Sequence, residues 1–184
     1  MANYLDNQNQ IKRYKTSKKL LKLWSDILER ETPDWESGKA LEYFVLRAFE
    51  LEGATVRYPY EVNWKGIKEQ IDGVVYINGL SCLVESKDYG ENALNIEPIA
   101  KLRNQLLRRP SSTIGSIFSI SGFTEPALTL AMFTAPQSIL LWEKEQIEYC
   151  LKNAYFCKGL EAKFRHCVEE GNPIFDFTSL NLKK

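Results

Sequence analysis

The dipeptide Asn78-Gly79 stands between two runs rich in Val, Ile and Tyr, Gln70–Ile77 and Leu80–Lys87. Asn-Gly in that setting specifies a two-residue hairpin turn, because both central residues must take positive φ and these two do so at least cost. The turn also sets the register. Ile77 must face Leu80, and each step back from one is matched by a step forward from the other. That count puts Asp72 opposite Glu85, with Cβ atoms about 4.5–5.5 Å apart on one face. Lys87, two residues beyond Glu85, shares that face and is predicted to lie opposite Gln70. Val74, Tyr76 and Leu83 continue the face toward the turn; Ile71, Gly73, Val75 and Ile77, with Leu80, Cys82, Val84 and Ser86, form the other. Both faces are largely apolar, so the hairpin is predicted to be buried and central.

Two like charges held opposite each other at the end of a buried hairpin cost stability. Either Lys87 neutralises them, as an Asp–Lys–Glu ion cluster without chemistry, or a divalent cation bridges them. Mg²⁺ takes one or two carboxylates and keeps several waters, which suits such a pair. Lys87 beside the ion would orient and help deprotonate a metal-bound water, the nucleophile of phosphodiester hydrolysis.

The chain has 184 residues with 24 Lys+Arg and 24 Asp+Glu, a formal net charge of zero. Neutrality speaks against a polyanionic partner only until the charges are located. Residues 1–30 carry seven basic and three acidic groups, and residues 101–113 carry four basic groups and no acid. Residues 31–100 between them carry six and thirteen. Two basic blocks therefore flank an acidic centre, either as solvated helix faces or as a phosphate-binding rim. At 44% hydrophobic and 26% charged the composition is that of a globular domain. No stretch is apolar enough for a membrane span, Met1–Gln10 is polar, and four cysteines are too few for a disulfide framework. A cytoplasmic protein is expected.

Leu20, Leu23, Trp24, Ile27 and Leu28 recur at helical spacing, predicting a helix over 16–30 with Lys18, Lys19, Lys22 and Asp26 on its polar side. Ser37 is the expected N-cap of a second helix, 38–51, closed by Gly53. Strands follow at 55–60, 70–77 and 80–87, then a helix over 96–108, a strand at 116–121, a helix capped by Thr124, a strand at 138–142, and helices over 143–153 and 159–170. This is a mixed α/β domain.

The segments Gln70-Ile71-Asp72-Gly73-Val74-Val75 and Leu83-Val84-Glu85-Ser86-Lys87 resemble the core motif of the PD-(D/E)XK nuclease superfamily, an Asp on one strand and Glu-x-Lys on the next. The resemblance is to its Mrr-like restriction endonuclease family. Gly38-Lys39-Ala40-Leu41-Glu42-Tyr43-Phe44 resembles that family's first helix, residues 117–124 its strand ending in a Gly-Phe-Thr turn, and Ser138–Trp142 its next strand. The likeness spans about residues 38–153. It implies a restriction-endonuclease-like α/β core, a central mixed β-sheet flanked by helices, with metal-dependent cleavage of DNA. Asp72, Glu85 and Lys87 are the implied catalytic positions, Asp72 and Glu85 the metal ligands for Mg²⁺ (or Mn²⁺), and Glu42 an assisting glutamate. From the residues alone, Glu42 is as readily a solvated helix-surface side chain.

The implied division is a basic N-terminal extension, 1–36, a nuclease core, 37–154, and a C-terminal helical extension, 155–184. Lys101, Arg103, Gln105, Arg108 and Arg109 are candidate DNA contacts, or else a basic helix end favoured by the macrodipole. Ser119, Ser121 and Thr124 could offer hydroxyls to a phosphate, and Tyr58, Tyr60 and Trp64 could stack on bases. Cys150, Cys157, His166 and Cys167 match no common zinc spacing, and buried thiols are expected. Besides DNA, a second copy of the chain or a partner protein supplying sequence recognition is a possible partner. Two other functions remain open: a catalytically silent DNA-binding module, and an interaction subunit docking through the N-terminal helix.

Overall fold

A computed structural model describes residues 4–134 and 137–178 of the chain. Its centre is a five-stranded mixed sheet in the order β1-β4-β5-β6-β7, comprising Thr55–Arg57, Gly73–Ile77, Leu80–Lys87, Thr113–Ser119 and Ile139–Trp142. The predicted hairpin is its heart: β4 and β5 pair antiparallel with Ile77 opposite Leu80. Asn78 and Gly79 both have positive φ, 45° and 83°, as a type I′ turn requires. β1 adds antiparallel to β4, while β6 and β7 follow parallel to β5 through helical crossovers. The chain is thus α/β, with a central mixed sheet flanked by helices.

The helices are α1 (Tyr4–Ile11), α2 (Ser17–Leu28), α3 (Lys39–Leu51), α4 (Glu97–Leu106), α5 (Glu125–Met132), α6 (Lys144–Asn153) and α7 (Phe156–Glu170). α4 and α5 cover one face, where Ile99, Leu102 and Ala127 meet Val74, Leu83 and Ile117. The other helices cover the opposite face, where Leu23, Trp24, Phe44 and Phe49 share a core with Val75, Val84 and Trp142. Alternation along β4 and β5 sends neighbouring residues into these two different cores, and burial on both sides makes the hairpin central. α3 approaches β4 so closely that a Cβ on Gly73 would lie 2.5 Å from Leu46 Cδ2. Glycine at 73 lets α3 reach the sheet.

Several predicted details change. The strand expected over 70–77 is two strands: β3 (Ile67–Ile71) ends before Asp72, and β4 starts after it. β3 pairs not with β5 but with β2 (Tyr60–Trp64), in a separate two-stranded ribbon with Trp64 opposite Ile67. Gln70 therefore faces Glu61, not Lys87. The break resets alternation, and Ile71 packs in the α4 core with Val74 rather than beside Val75. Ser37 is not the cap of α3; Gly38 is, with φ 77° and no side-chain bond. Thr16, by contrast, caps α2 by accepting the Lys19 N–H at 3.4 Å. Leu20, Leu23, Trp24 and Ile27 of α2 are all buried, and α1, which periodicity did not suggest, buries Ile11 in the same core.

Candidate active site

Asp72 occupies the one-residue break between ribbon and sheet, and Glu85 lies near the end of β5. Both carboxylates are buried, 2% and 1% exposed. The hairpin ladder ends with Gly73 opposite Val84, so Asp72 lies just beyond the last pair instead of within the predicted register with Glu85. Lys87 then reaches both: its Nζ is 3.2 Å from Asp72 Oδ2 and 2.7 Å from Glu85 Oε1. The Ser86 backbone N–H donates to Asp72 Oδ2 at 3.3 Å. Lys101 of α4 donates to Glu85 Oε1 at 2.7 Å from the other side. Glu85 Oε2 is buried with no hydrogen-bond partner among the described residues. An anionic oxygen withdrawn from water without a partner is costly and marks a place for a further donor or cation.

Glu42 arrives from α3, one turn before the Leu46 that touches Gly73. It is buried, not solvated, and Lys39 holds both its oxygens, at 2.7 and 2.9 Å. Burial pushes its carboxyl up to about 7, the Asp72 charge adds to the rise, and Lys39 and Lys87 oppose it. Lys87 shows the reverse balance. Burial lowers its pKa, but Asp72 and Glu85 outweigh that and hold it above the usual lysine range, so it is a cation at neutral pH. Tyr4, from α1, is a participant no sequence signal indicated. Its hydroxyl donates to Glu61 Oε1 at 3.4 Å, and its phenol is raised by burial, then by Glu61, Glu42 and Asp72.

The predicted contact helix runs along this cluster. Lys101 bonds Glu85, buried Gln105 donates to the Gln70 carbonyl at 3.0 Å, and Arg109 pairs with Glu69 at 2.9 Å. Arg108 also pairs with Glu69, and Arg103 is exposed. Lys101, Gln105 and Arg108 recur at spacings of four and three, and with Arg109 they tie α4 and the turn after it to the ribbon and the hairpin. The hydroxyls of Ser119, Ser121 and Thr124 donate to the carbonyls of Gly122, Asn92 and Leu94. Thr124 stands at the N-cap of α5 but does not cap it with its side chain. Tyr58 is buried and donates to Glu50, Tyr60 lies beneath Arg57, and the Trp64 side chain lies outside the described residues.

Among the described residues, no three His, Cys, Asp or Glu side chains gather closely enough to hold a metal by themselves. The donor set here is a pair, Asp72 and Glu85, with one carboxylate oxygen left over. Hard oxygen donors in that number fit Mg²⁺ or Mn²⁺, which retain waters. Cys150 and Cys157 are buried free thiols, and His166 stacks on Phe175 with ring centres 3.8 Å apart.

The chain matches no protein-family model and no curated protein. The crystal structure of AF1548, a protein of unknown function, is similar in fold, with a TM-score of 0.51 and 22% identity. The match covers 61% of this chain and 64% of that one, so the chain spans less than two thirds of its length. The DNA modification-dependent restriction endonuclease AspBHI matches with a TM-score of 0.43 and 12% identity, over 79% of this chain and 38% of that one. No helix among the described residues is long and apolar enough to cross a membrane.

Proposed function

We propose that the chain is a divalent-metal-dependent endonuclease of the Mrr-like PD-(D/E)XK kind, hydrolysing phosphodiester bonds of DNA. One observation carries the reading. Two buried carboxylates from adjoining strand ends share one lysine, and one of their oxygens is left unpartnered inside the protein. Asp72 and Glu85 would hold Mg²⁺, which would supply an activated water and a Lewis acid for the phosphate. Lys87, held cationic by the two acids, orients the attacking oxygen and balances the charge that builds on the phosphate. Glu42, with its carboxyl near neutrality and Asp72 beside it, is placed to take a proton at physiological pH. Lys101 and exposed Arg103 supply positive charge on the α4 side for the phosphate backbone.

The test is plasmid cleavage in Mg²⁺, Mn²⁺ or chelator, with wild type beside Asp72→Asn and Lys87→Ala. Metal-dependent nicking that either substitution abolishes supports the reading; cleavage that survives both sinks it. A second reading, a silent nuclease fold that binds DNA without cutting, is favoured by the pairing of Glu85 with both Lys87 and Lys101. It predicts a salt-sensitive gel shift with no cleavage in any metal.

A further inference from the structure

A cavity of about 890 Å³ opens between the β2–β3 ribbon and the C-terminal end of α4. Its size is within the range of small-molecule and cofactor sites. Three arginines, Arg57, Arg108 and Arg109, line it against two glutamates, Glu61 and Glu69. Both glutamates are already engaged, Glu61 by the Tyr4 hydroxyl and Glu69 by Arg108 and Arg109. Arg57 is exposed, with its guanidinium 3.5 Å from the centre of the Tyr60 ring. The Arg108 side chain is 56% exposed despite its ion pair. Val62 and Ile67 supply apolar wall, and Ile67 is 64% exposed although it is a large aliphatic side chain on a strand. The cavity thus combines a cationic rim, an arginine-capped aromatic ring and an exposed apolar surface.

Its position matters as much as its lining. The ribbon strand that carries Ile67 and Glu69 runs directly into Asp72. Glu61, on the facing strand, bonds the same Tyr4 whose phenol feels Glu42 and Asp72. Tyr60 of the cavity wall pairs with Ile71, the residue before Asp72.

We infer that this cavity binds a nucleotide of the DNA strand next to the one at the carboxylates. Arg57 and Arg108 take its phosphate, and Val62 and Ile67 take its sugar and base. The inference rests on the nuclease reading for the identity of the strand. Guanidinium groups suit phosphate oxygens through paired N–H donors, and an apolar wall has no donor or acceptor with which to read a base edge, so the site adds affinity without reading sequence.

The experiment is fluorescence anisotropy with a labelled single-stranded DNA oligonucleotide in chelator across a salt series. Plasmid cleavage is measured in parallel. The double variant Arg57→Ala/Arg108→Ala is expected to bind about 10-fold more weakly, with a salt slope reduced by about one per lost phosphate contact. Ile67→Ser, at a position 64% exposed, is expected to weaken binding without changing the slope. Arg165→Glu, at an exposed position of α7, serves as a charge control and should bind as wild type. Asp72→Asn should bind as wild type and fail to cleave. Failure of wild type to bind overturns the inference. So does equal binding by the arginine variant and wild type, or equal weakening by Arg165→Glu. Loss of binding in the arginine variant from a wild type that never cleaves upholds the cavity and overturns the nuclease reading instead.

Discussion

Two lysines, half-buried Lys87 and fully buried Lys163, stand in opposite electrostatic conditions within one small domain. Lys87 lies between Asp72 and Glu85 at the end of β5, and the two acids hold it charged against the pull of burial. Lys163 of α7 is fully buried against the rings of Trp142 and Phe177, with Nζ 5.4 and 5.6 Å from their centres, and it donates to the Phe175 carbonyl. Burial pulls its pKa down to about 7, while Asp176 and Glu143 oppose the fall. Both sites are desolvated. What separates them is the number and closeness of carboxylates, and so whether a full charge can persist. The first site gathers two carboxylates around one ammonium group. The second is sealed under the segment that follows α7, where the Leu141 N–H bonds the Pro173 carbonyl.

The comparison breaks most sharply on chemistry. Asp72→Asn keeps the shape of the side chain and removes one ligand charge. Cleavage should fall by more than the roughly 10–100-fold that outer-shell partners of metal sites typically cost. Lys163→Met should leave cleavage unchanged in the same plasmid assay.

Stability separates the sites next. Lys87→Met leaves Asp72 without its lysine inside the protein and should cost about 3–5 kcal/mol in denaturant melts with chelator present. Added Mg²⁺ should recover part of that loss. Lys163→Met exchanges a poorly solvated amine for an apolar chain and removes the cost of its lowered pKa, so at neutral pH it should be neutral or stabilising, by up to about 4 kcal/mol. Equal losses would show that the carboxylates do not distinguish the two lysines.

Stability against pH is the third measurement. An unfolded lysine keeps its proton up to about 10.5, whereas folded Lys163 releases it near 7. Between those values the unfolded chain binds more protons, so this group makes stability rise with pH, by up to about 1.4 kcal/mol per pH unit. Below pH 7 its full cost is present. Lys163→Met should remove that slope, and urea melts at several pH values between 7 and 10 would reveal it.

Two glycines test how closely α3 and α7 approach their neighbours in the two regions. A Cβ at Gly73 would meet Leu46 at 2.5 Å, so Gly73→Ala should cost about 1–3 kcal/mol and displace α3 with Glu42. At Gly159, inside α7, a Cβ would meet Phe177 and Trp142 at 3.1 Å, and helix propensity partly offsets the crowding. Gly159→Ala should therefore melt closer to wild type.

What could be foreseen divides along physical lines. The register of the hairpin, and with it the meeting of Asp72, Glu85 and Lys87, followed from a turn whose residues tolerate positive φ. The β2–β3 ribbon escaped notice although its turn has the same geometry, with Lys65 at φ 50° and Gly66 at 83°. Lysine rarely occupies that conformation, so Lys-Gly gives a much weaker signal than Asn-Gly. Alternation was present in Tyr60, Val62 and Trp64, but charged residues at 65, 68 and 69 obscured the second strand. Helix α1 is short and polar, and it is buried chiefly through Ile11.

Local chemistry alone thus determined the turn, the strands beside it, the apolar stripes of α2 and α3, and the carboxylate pair. Each is a periodicity or a dihedral preference within a few residues. Tertiary structure decided the rest. It buried Glu42 and raised its carboxyl, turned Lys101, Gln105, Arg108 and Arg109 toward partners inside the protein, brought Tyr4 to the site, and sealed Lys163. Those outcomes depend on which groups meet across the fold and on how much water their meeting excludes, and neither is encoded by the spacing of residues along one element.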